Sequence, residues 1–313
     1  MEVSIIFWIG FIVFVLIMLA LDLFVFHKKD SVVKIKEAIL WSAFWIALAL
    51  LFNAGIYVFE GKAQAFDFFT AYLLEKSLSV DNLFVFILIF SFFKIKAEHQ
   101  HRILFWGIIV ALFMRAIFIF AGVALITKFA WIIYVFGAVL IYSGIHLLFE
   151  KEKDEFNPNK NIVIRIFKKF MPVSDDKNET RFFIRKNNVL YATPLFIALL
   201  VVEVSDVIFA VDSIPAVLSV TKDIFIAFTS NIFAILGLRS LYFALNGVLQ
   251  YFIYLRFALA GILSFIGVKM CVNELSAEIG TQFHISNYVS LAVIVVLLST
   301  SILLSVVLKN KSK

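Results

Sequence analysis

Nine stretches of this chain are each about twenty residues or longer and almost wholly apolar, and they leave little choice of fold. They cover residues 4–26, 38–58, 65–93, 103–126, 130–149, 191–214, 223–245, 251–271 and 286–308. A bilayer core about 30 Å thick takes about 20 helical residues to cross. Inside it a backbone must satisfy its own polar groups, which a helix does. The runs therefore predict an all-α, polytopic transmembrane bundle of about nine spanning helices. Composition agrees: the chain is 63% hydrophobic and 16% charged, with a mean hydropathy of +1.00. Soluble domains have roughly 45–50% apolar and about 25% charged residues.

The first run has no basic region ahead of it. Its positive charges, Lys28 and Lys29, follow it, and it is too long for a cleavable signal core, so it reads as a first span. Lys and Arg gather on alternate connections. Those after runs one, three, five and seven, with the C-terminus, hold 22 basic residues, and the opposite side holds 4: Lys62, Lys128, Lys222 and Lys269. That bias puts the N-terminus outside and the C-terminus in the cytosol. It also accounts for the net charge of +6 without nucleic acid. The single Cys271 excludes an internal disulfide and a thiolate metal cluster.

Three regions follow. Residues 1–149 form a first transmembrane half, residues 150–190 a polar cytosolic linker, and residues 191–313 a second transmembrane half. The linker carries mixed charge, Pro158 and Pro172, and reads as solvated. A short amphipathic helix over 162–170 is its one local pattern, with basic residues alternating with Ile and Phe.

Against this apolar background, acids stand out. Run three contains Glu75-Lys-Ser-Leu-Ser-Val-Asp81-Asn82, and run six contains Glu203-Val-Ser-Asp206 followed by Asp212-Ser213-Ile-Pro215. A charge at mid-bilayer costs at least about 2.5–3.5 kcal/mol on insertion scales, so intramembrane acids mark functional sites by default. The two segments resemble each other. Ser79-Val-Asp81-Asn-Leu-Phe matches Val204-Ser-Asp206-Val-Ile-Phe, and both Glu75/Asp81 and Asp206/Asp212 lie six apart. One run enters from outside and the other from inside, which predicts an inverted repeat with a mid-membrane site.

On a straight helix Glu75, Ser79 and Asn82 share a face, whereas Asp81 lies about 120° away. Glu203 and Asp206 share a face, and Asp212 does not. Convergence of all five acids thus calls for broken helices at the acidic motifs, with Pro215 freeing the carbonyl of Val211. The donors would be carboxylates, the Asn82 amide, the Ser79 and Ser213 hydroxyls and carbonyls. Such an all-oxygen set suits Mn²⁺, Mg²⁺ or Ca²⁺ rather than Zn²⁺ or Cu⁺. Arg115, in the middle of run four, needs a partner and reads as the counter-ion to the acids, with Lys76 the other candidate. Shared carboxylates would let metal and protons exchange. The alternative is that the acids only tie helices together through Arg115, Arg239 or Lys76. Asp22 reads as interfacial, His146 and Asn231 as helix contacts, and His99 and His101 as a solvated turn.

The two acidic segments resemble the signatures of the TerC family of integral membrane proteins. Asp22-Leu-Phe-Val-Phe-His27, Trp41-Ser-Ala43, His101-Arg-Ile-Leu-Phe-Trp-Gly107, Met114-Arg-Ala-Ile-Phe-Ile119, Trp131-Ile-Ile-Tyr-Val-Phe-Gly-Ala138 and Gly237-Leu-Arg-Ser-Leu-Tyr242 extend the likeness along the chain. Phe24 stands where relatives often carry Gly. The family includes Alx-type proteins of bacterial inner membranes linked to manganese export. The resemblance implies Mn²⁺ efflux as transported substrate from a multi-pass inner-membrane protein, with Glu75, Asp81, Asn82, Glu203, Asp206 and Asp212 at the matching positions.

Two function classes follow. One is a secondary transporter exporting Mn²⁺ from the cytosol by proton antiport, with lipid, metal and protons as its partners and no nucleic acid. The other is a membrane scaffold that supports metal homeostasis or metallation of exported proteins without transport. No phosphate-binding Gly-rich loop and no paired-Asp protease motif appears, so an enzyme is not expected.

Overall fold

A computed structural model describes residues 5–24, 35–149, 164–165, 167, 169, 171–174, 181–186, 188–245, 254–281 and 283–309; the side chains of residues 22–24, 81, 84, 306, 308 and 309 fall outside the described set. The first half comprises α1 (Ile5–Phe24), α2 (Ile35–Phe59), α3 (Lys62–Phe92), α4 (Ala97–Lys128) and α5 (Ile132–Phe149). A two-stranded antiparallel hairpin follows, β1 (Phe183–Lys186) and β2 (Val189–Ala192). The second half comprises α6 (Pro194–Leu218), α7 (Ile224–Leu236), α8 (Leu238–Leu245), α9 (Leu255–Ile279) and α10 (Asn287–Lys309). Each expected run coincides with one helix, or with the pair α7–α8. Among the described residues, seven spans are long and apolar enough to cross a membrane, α7 and α8 counting together. The other two runs are α1, whose apolar stretch is Ile5–Leu21, and α3, which is long enough but carries the acids.

The core helices form two repeat units, α3–α4–α5 and α6–α7/α8–α9, that interlock, since the strongest helix pairs join one unit to the other. The pairs α3·α6, α4·α7 and α5·α9 each join matching members. The pair α3·α7 mirrors α4·α6, and α3·α9 mirrors α5·α6. The first members run in opposite directions. Leu83, Phe86, Ile89 and Phe90 late in α3 share an apolar cluster with Leu195, Ile197, Ala198 and Val201 early in α6. Ala71, Leu74 and Leu78 early in α3 cluster with Ala210, Ile214, Val217 and Leu218 late in α6. This is the inverted arrangement that the repeated acidic motif predicts.

The closest approach is between α5 and α9, at small residues. A Cβ on Gly144 would sit 2.7 Å from the Ala260 carbonyl, and one on Gly267 would sit 2.5 Å from the Gly137 carbonyl. Small residues at such a seam let backbones touch where lipid gives no hydrophobic drive to associate. Elsewhere α1 and α2 wrap the core through aromatic rings: Phe52 packs 4.8 Å from Phe233, and Phe11 packs 5.9 Å from the same ring.

Two expectations need correcting. The acidic motifs do not break their helices. α3 contains no Gly or Pro between Lys62 and Phe92 and stays helical throughout, with Ser77 Oγ donating back to the Leu73 carbonyl at 2.6 Å. Pro215 lies three residues before the end of α6; it removes one backbone bond, and the last turn closes by Ser219 N–H donating to the Pro215 carbonyl. The interruption instead falls at Gly237, between α7 and α8. There a Cβ would lie 2.9 Å from Lys76 Nζ and 3.0 Å from Trp45 Cβ.

The second correction concerns the linker. Part of it is docked rather than solvated: Ile164 is buried against α3, α6 and α8, and Phe167, Phe182 and Phe183 gather round Phe196 in the first turn of α6. Linker residues 150–163, 166, 168, 170, 175–180 and 187 lie outside the described set.

Candidate metal-binding site

Arg115 stands at the centre of the bundle, 1% exposed, where α3, α4, α6 and α7 meet. Its Nη1 donates to Glu75 Oε1, to Ser213 Oγ at 3.2 Å and to Asn231 Oδ1 at 3.2 Å. Its Nη2 donates to Asp206 Oδ1 at 3.2 Å. Asn231 Nδ2 closes the ring by donating to Glu75 Oε2 at 3.1 Å. Glu75 is 0% and Asp206 5% exposed. One guanidinium thus binds a carboxylate from each inverted helix. Burying such charges is tolerated because pairing and hydrogen bonds satisfy them together.

Beside this network lies a small cavity, about 20 Å³, with room for about one water-sized particle. Glu203, Asp206, Arg239, Phe86, Gly107 and Ala111 line it. Glu203 lies one turn from Asp206 on the same face of α6, and its buried Oε1 has no hydrogen-bond partner among the described residues. Gly107 on α4 keeps the space open, since a Cβ there would come 3.2 Å from that oxygen.

The predicted residues therefore fall into three groups. Glu75, Asp206, Ser213 and Arg115 form one network, with Glu203 at its edge. Ser79 and Asn82 are buried on the Glu75 face of α3, one and two turns further along; Ser79 Oγ has no partner among the described residues. Asp212 is apart. Six residues beyond Asp206 on an unbroken helix, it is turned about 120° away. It meets α5 instead, accepting from Ser143 Oγ at 2.7 Å. The Asp81 side chain falls outside the described set, as does that of Asp22. Among the described residues, no group of three or more His, Cys, Asp or Glu side chains stands close enough to hold an ion; Glu75 and Asp206 are each bonded to Arg115.

Sequence reasoning underrated three residues. Asn231 bonds both Arg115 and Glu75; a lone amide in an apolar run was the only signal. Arg239, counted with the cytosolic connections, is buried in α8 at the cavity. Lys269, counted outside, is buried in α9, and its Nζ donates to Asn287 Oδ1 at 2.6 Å. Lys76 shows no carboxylate partner among the described side chains; its Nζ donates to the Ala234 carbonyl at 3.2 Å, near the end of α7. His146 packs its ring 5.8 Å from Tyr142, a contact along its own helix.

The profile of the integral membrane protein TerC family matches residues 60–313, a span that holds both acidic helices and their arginine. The chain belongs to the TerC family. An uncharacterized membrane protein of Myxococcus xanthus, STKORF319, is 50% identical over 300 residues, covering 96% of this chain and 92% of that protein. An Escherichia coli K12 protein named "Putative membrane-bound redox modulator Alx" is 45% identical over 296 residues, covering 92% and 90%. An uncharacterized membrane protein of Rickettsia felis is 41% identical over 303 residues, covering 97% and 98%. No solved structure matches. The TerC chain is thus a multi-pass integral membrane protein, and its similarity to these relatives extends beyond the profile into α1 and α2.

Proposed function

We propose that this TerC protein is a secondary transporter that moves a divalent metal, Mn²⁺ in the first place, out of the cytosol across the bacterial inner membrane in exchange for protons. The observation that carries the reading is the shared arginine. Two carboxylates from antiparallel helices are held on one cation at the centre of the bundle, next to a water-sized cavity and a third carboxylate, Glu203. A divalent ion would neutralise the same charges that Arg115 now neutralises. The transported Mn²⁺ would displace the guanidinium and bind Glu75, Glu203 and Asp206, with Ser213, Asn82 or Asn231 completing an oxygen shell. Asp81, six residues after Glu75 on α3, is a further carboxylate for that role. Protons would then return on carboxylates that the metal has left. Ca²⁺ and Mg²⁺ are the less favoured substrates of the same oxygen set.

The decisive experiment is Mn²⁺ uptake into inverted vesicles, with and without a pH gradient, comparing the wild type with Asp206→Asn. Uptake that follows the gradient and is lost in the variant is the expected outcome. Uptake no greater than in vesicles lacking the protein would overturn the proposal. A second reading has one observation behind it: the Arg115 network ties four helices together, as a scaffold would need. On that reading Asp206→Asn would lower stability and leave metal flux at background in every sample.

A further inference from the structure

The docked segment ahead of α6 leaves basic and apolar side chains exposed. Its inner side is fixed. Thr193 is 0% exposed; its Oγ1 donates to the Arg181 carbonyl at 2.8 Å and accepts from Phe196 N–H at 3.4 Å, so the hairpin is joined directly to the start of a spanning helix. The Ser174 N–H donates to the Ala192 carbonyl at 2.8 Å, and the Ala192 N–H donates to the Pro172 carbonyl at 3.0 Å, which holds residues 172–174 beside β2. Arg102, at the start of α4, lies 5.1 Å over the Phe182 ring. Phe183 stands 4.5 Å from Phe196. The hairpin is therefore held at the cytosolic mouth of the bundle, at the level where α4 and α6 leave the bilayer.

Basic and apolar side chains are exposed together on both faces of the hairpin tip, Arg185 opposite Leu190 on one and Lys186 opposite Val189 on the other. Arg165, Lys169, Arg181, Arg185 and Lys186 are exposed. Residues 181–192 contain three basic and no acidic side chains. Val189 and Leu190, also exposed, flank the turn, and Asn188 takes the left-handed conformation that a tight hairpin needs. Cations beside exposed aliphatic side chains match the chemistry of an anionic lipid: phosphate for the guanidinium and ammonium groups, acyl chain for Val and Leu.

We propose that this hairpin, with Arg165 and Lys169 beside it, forms a binding site for anionic phospholipid headgroups of the cytoplasmic leaflet, which anchors the cytosolic segment to the membrane. The site is separate from the Arg115 network and does not rest on the transport reading.

The test uses the full-length protein in neutral detergent, offered equal amounts of phosphatidylglycerol and phosphatidylcholine, with bound lipid counted by native mass spectrometry. The wild type should retain phosphatidylglycerol in preference. A triple variant, Arg181→Gln, Arg185→Gln, Lys186→Gln, should weaken that preference at least about tenfold, since each basic side chain near an anionic surface is worth roughly fivefold. A control neutralising the opposite membrane face, Lys62→Gln with Lys128→Gln, should leave it unchanged, and equal thermal midpoints would show that the triple variant folds. Preference retained by the triple variant, or lost equally in the control, would overturn the site. Displacement of phosphatidylglycerol by inorganic phosphate would assign the cluster to a soluble anion and equally overturn the lipid proposal.

Discussion

Replacing Arg115 by Met takes the one cation from between Glu75 and Asp206 while keeping a long side chain in its place. Four hydrogen bonds go with it, and among the described hydrogen bonds the two buried carboxylates keep just the one from the Asn231 amide. Breaking a buried pair from one side costs about 3–5 kcal/mol, because a charge is stranded in a poorly solvating interior. On the transport reading the same variant gains something: a divalent ion no longer has to displace a guanidinium. An ion at about a hundred times its Kd stabilises the folded state by about 2.7 kcal/mol. Mn²⁺ should therefore return much of what Arg115→Met loses, and should stabilise the variant more than the wild type. Thermal unfolding in detergent, followed through the five tryptophans, measures both effects, with Mg²⁺ as the comparison ion. Adding Glu75→Gln and Asp206→Asn should restore stability without metal and abolish the metal response. The reasoning fails if Arg115→Met unfolds at the wild-type midpoint, or if the triple variant still responds to Mn²⁺ as strongly as the single one.

Two further outcomes follow from the site. Gly107→Val should push side-chain atoms into the cavity against Glu203 Oε1, at a cost of about 1–3 kcal/mol from overpacking; Mn²⁺ uptake should fall while the protein is still recovered in the membrane, and unchanged uptake would show that the cavity is not on the path. Asp212→Asn alters a single bond from Ser143, worth about 1 kcal/mol, so its vesicle uptake should stay within about fivefold of wild type while Asp206→Asn loses it. Equal losses would mean that Asp212 turns into the cluster during the cycle.

The spans were legible in the sequence because hydrocarbon imposes one rule on every run: long, apolar and helical. The inverted pairing was legible too, through the repeated acid spacing on α3 and α6. What the sequence hid was rotation about the helix axes. Five acids invited a single centre, and breaks were invoked to bring them there. The structure keeps both helices whole and leaves Asp212 with Ser143, because a continuous helix cannot turn positions 206 and 212 the same way. Arg239 and Lys269 were misassigned for a related reason. Both lie near the ends of apolar runs, and position along the chain alone does not tell a headgroup-facing cation from one folded inward. Asn231 was weighed as a helix contact and proved to be the bridge between Arg115 and Glu75; an amide's donor and acceptor sides carry no periodicity to read.

The glycine seam between α5 and α9 has a mechanical consequence. It joins the third helix of each inverted unit by backbone-to-backbone contact. Side chains there are too short to slide or repack, so relative movement of the units must leave that line nearly fixed. The α3–α4–α6–α7 centre lies off the line, and the Arg115 ties at its middle can be exchanged. Any rocking of one unit against the other would thus hinge along α5 and α9 and swing widest at the carboxylates.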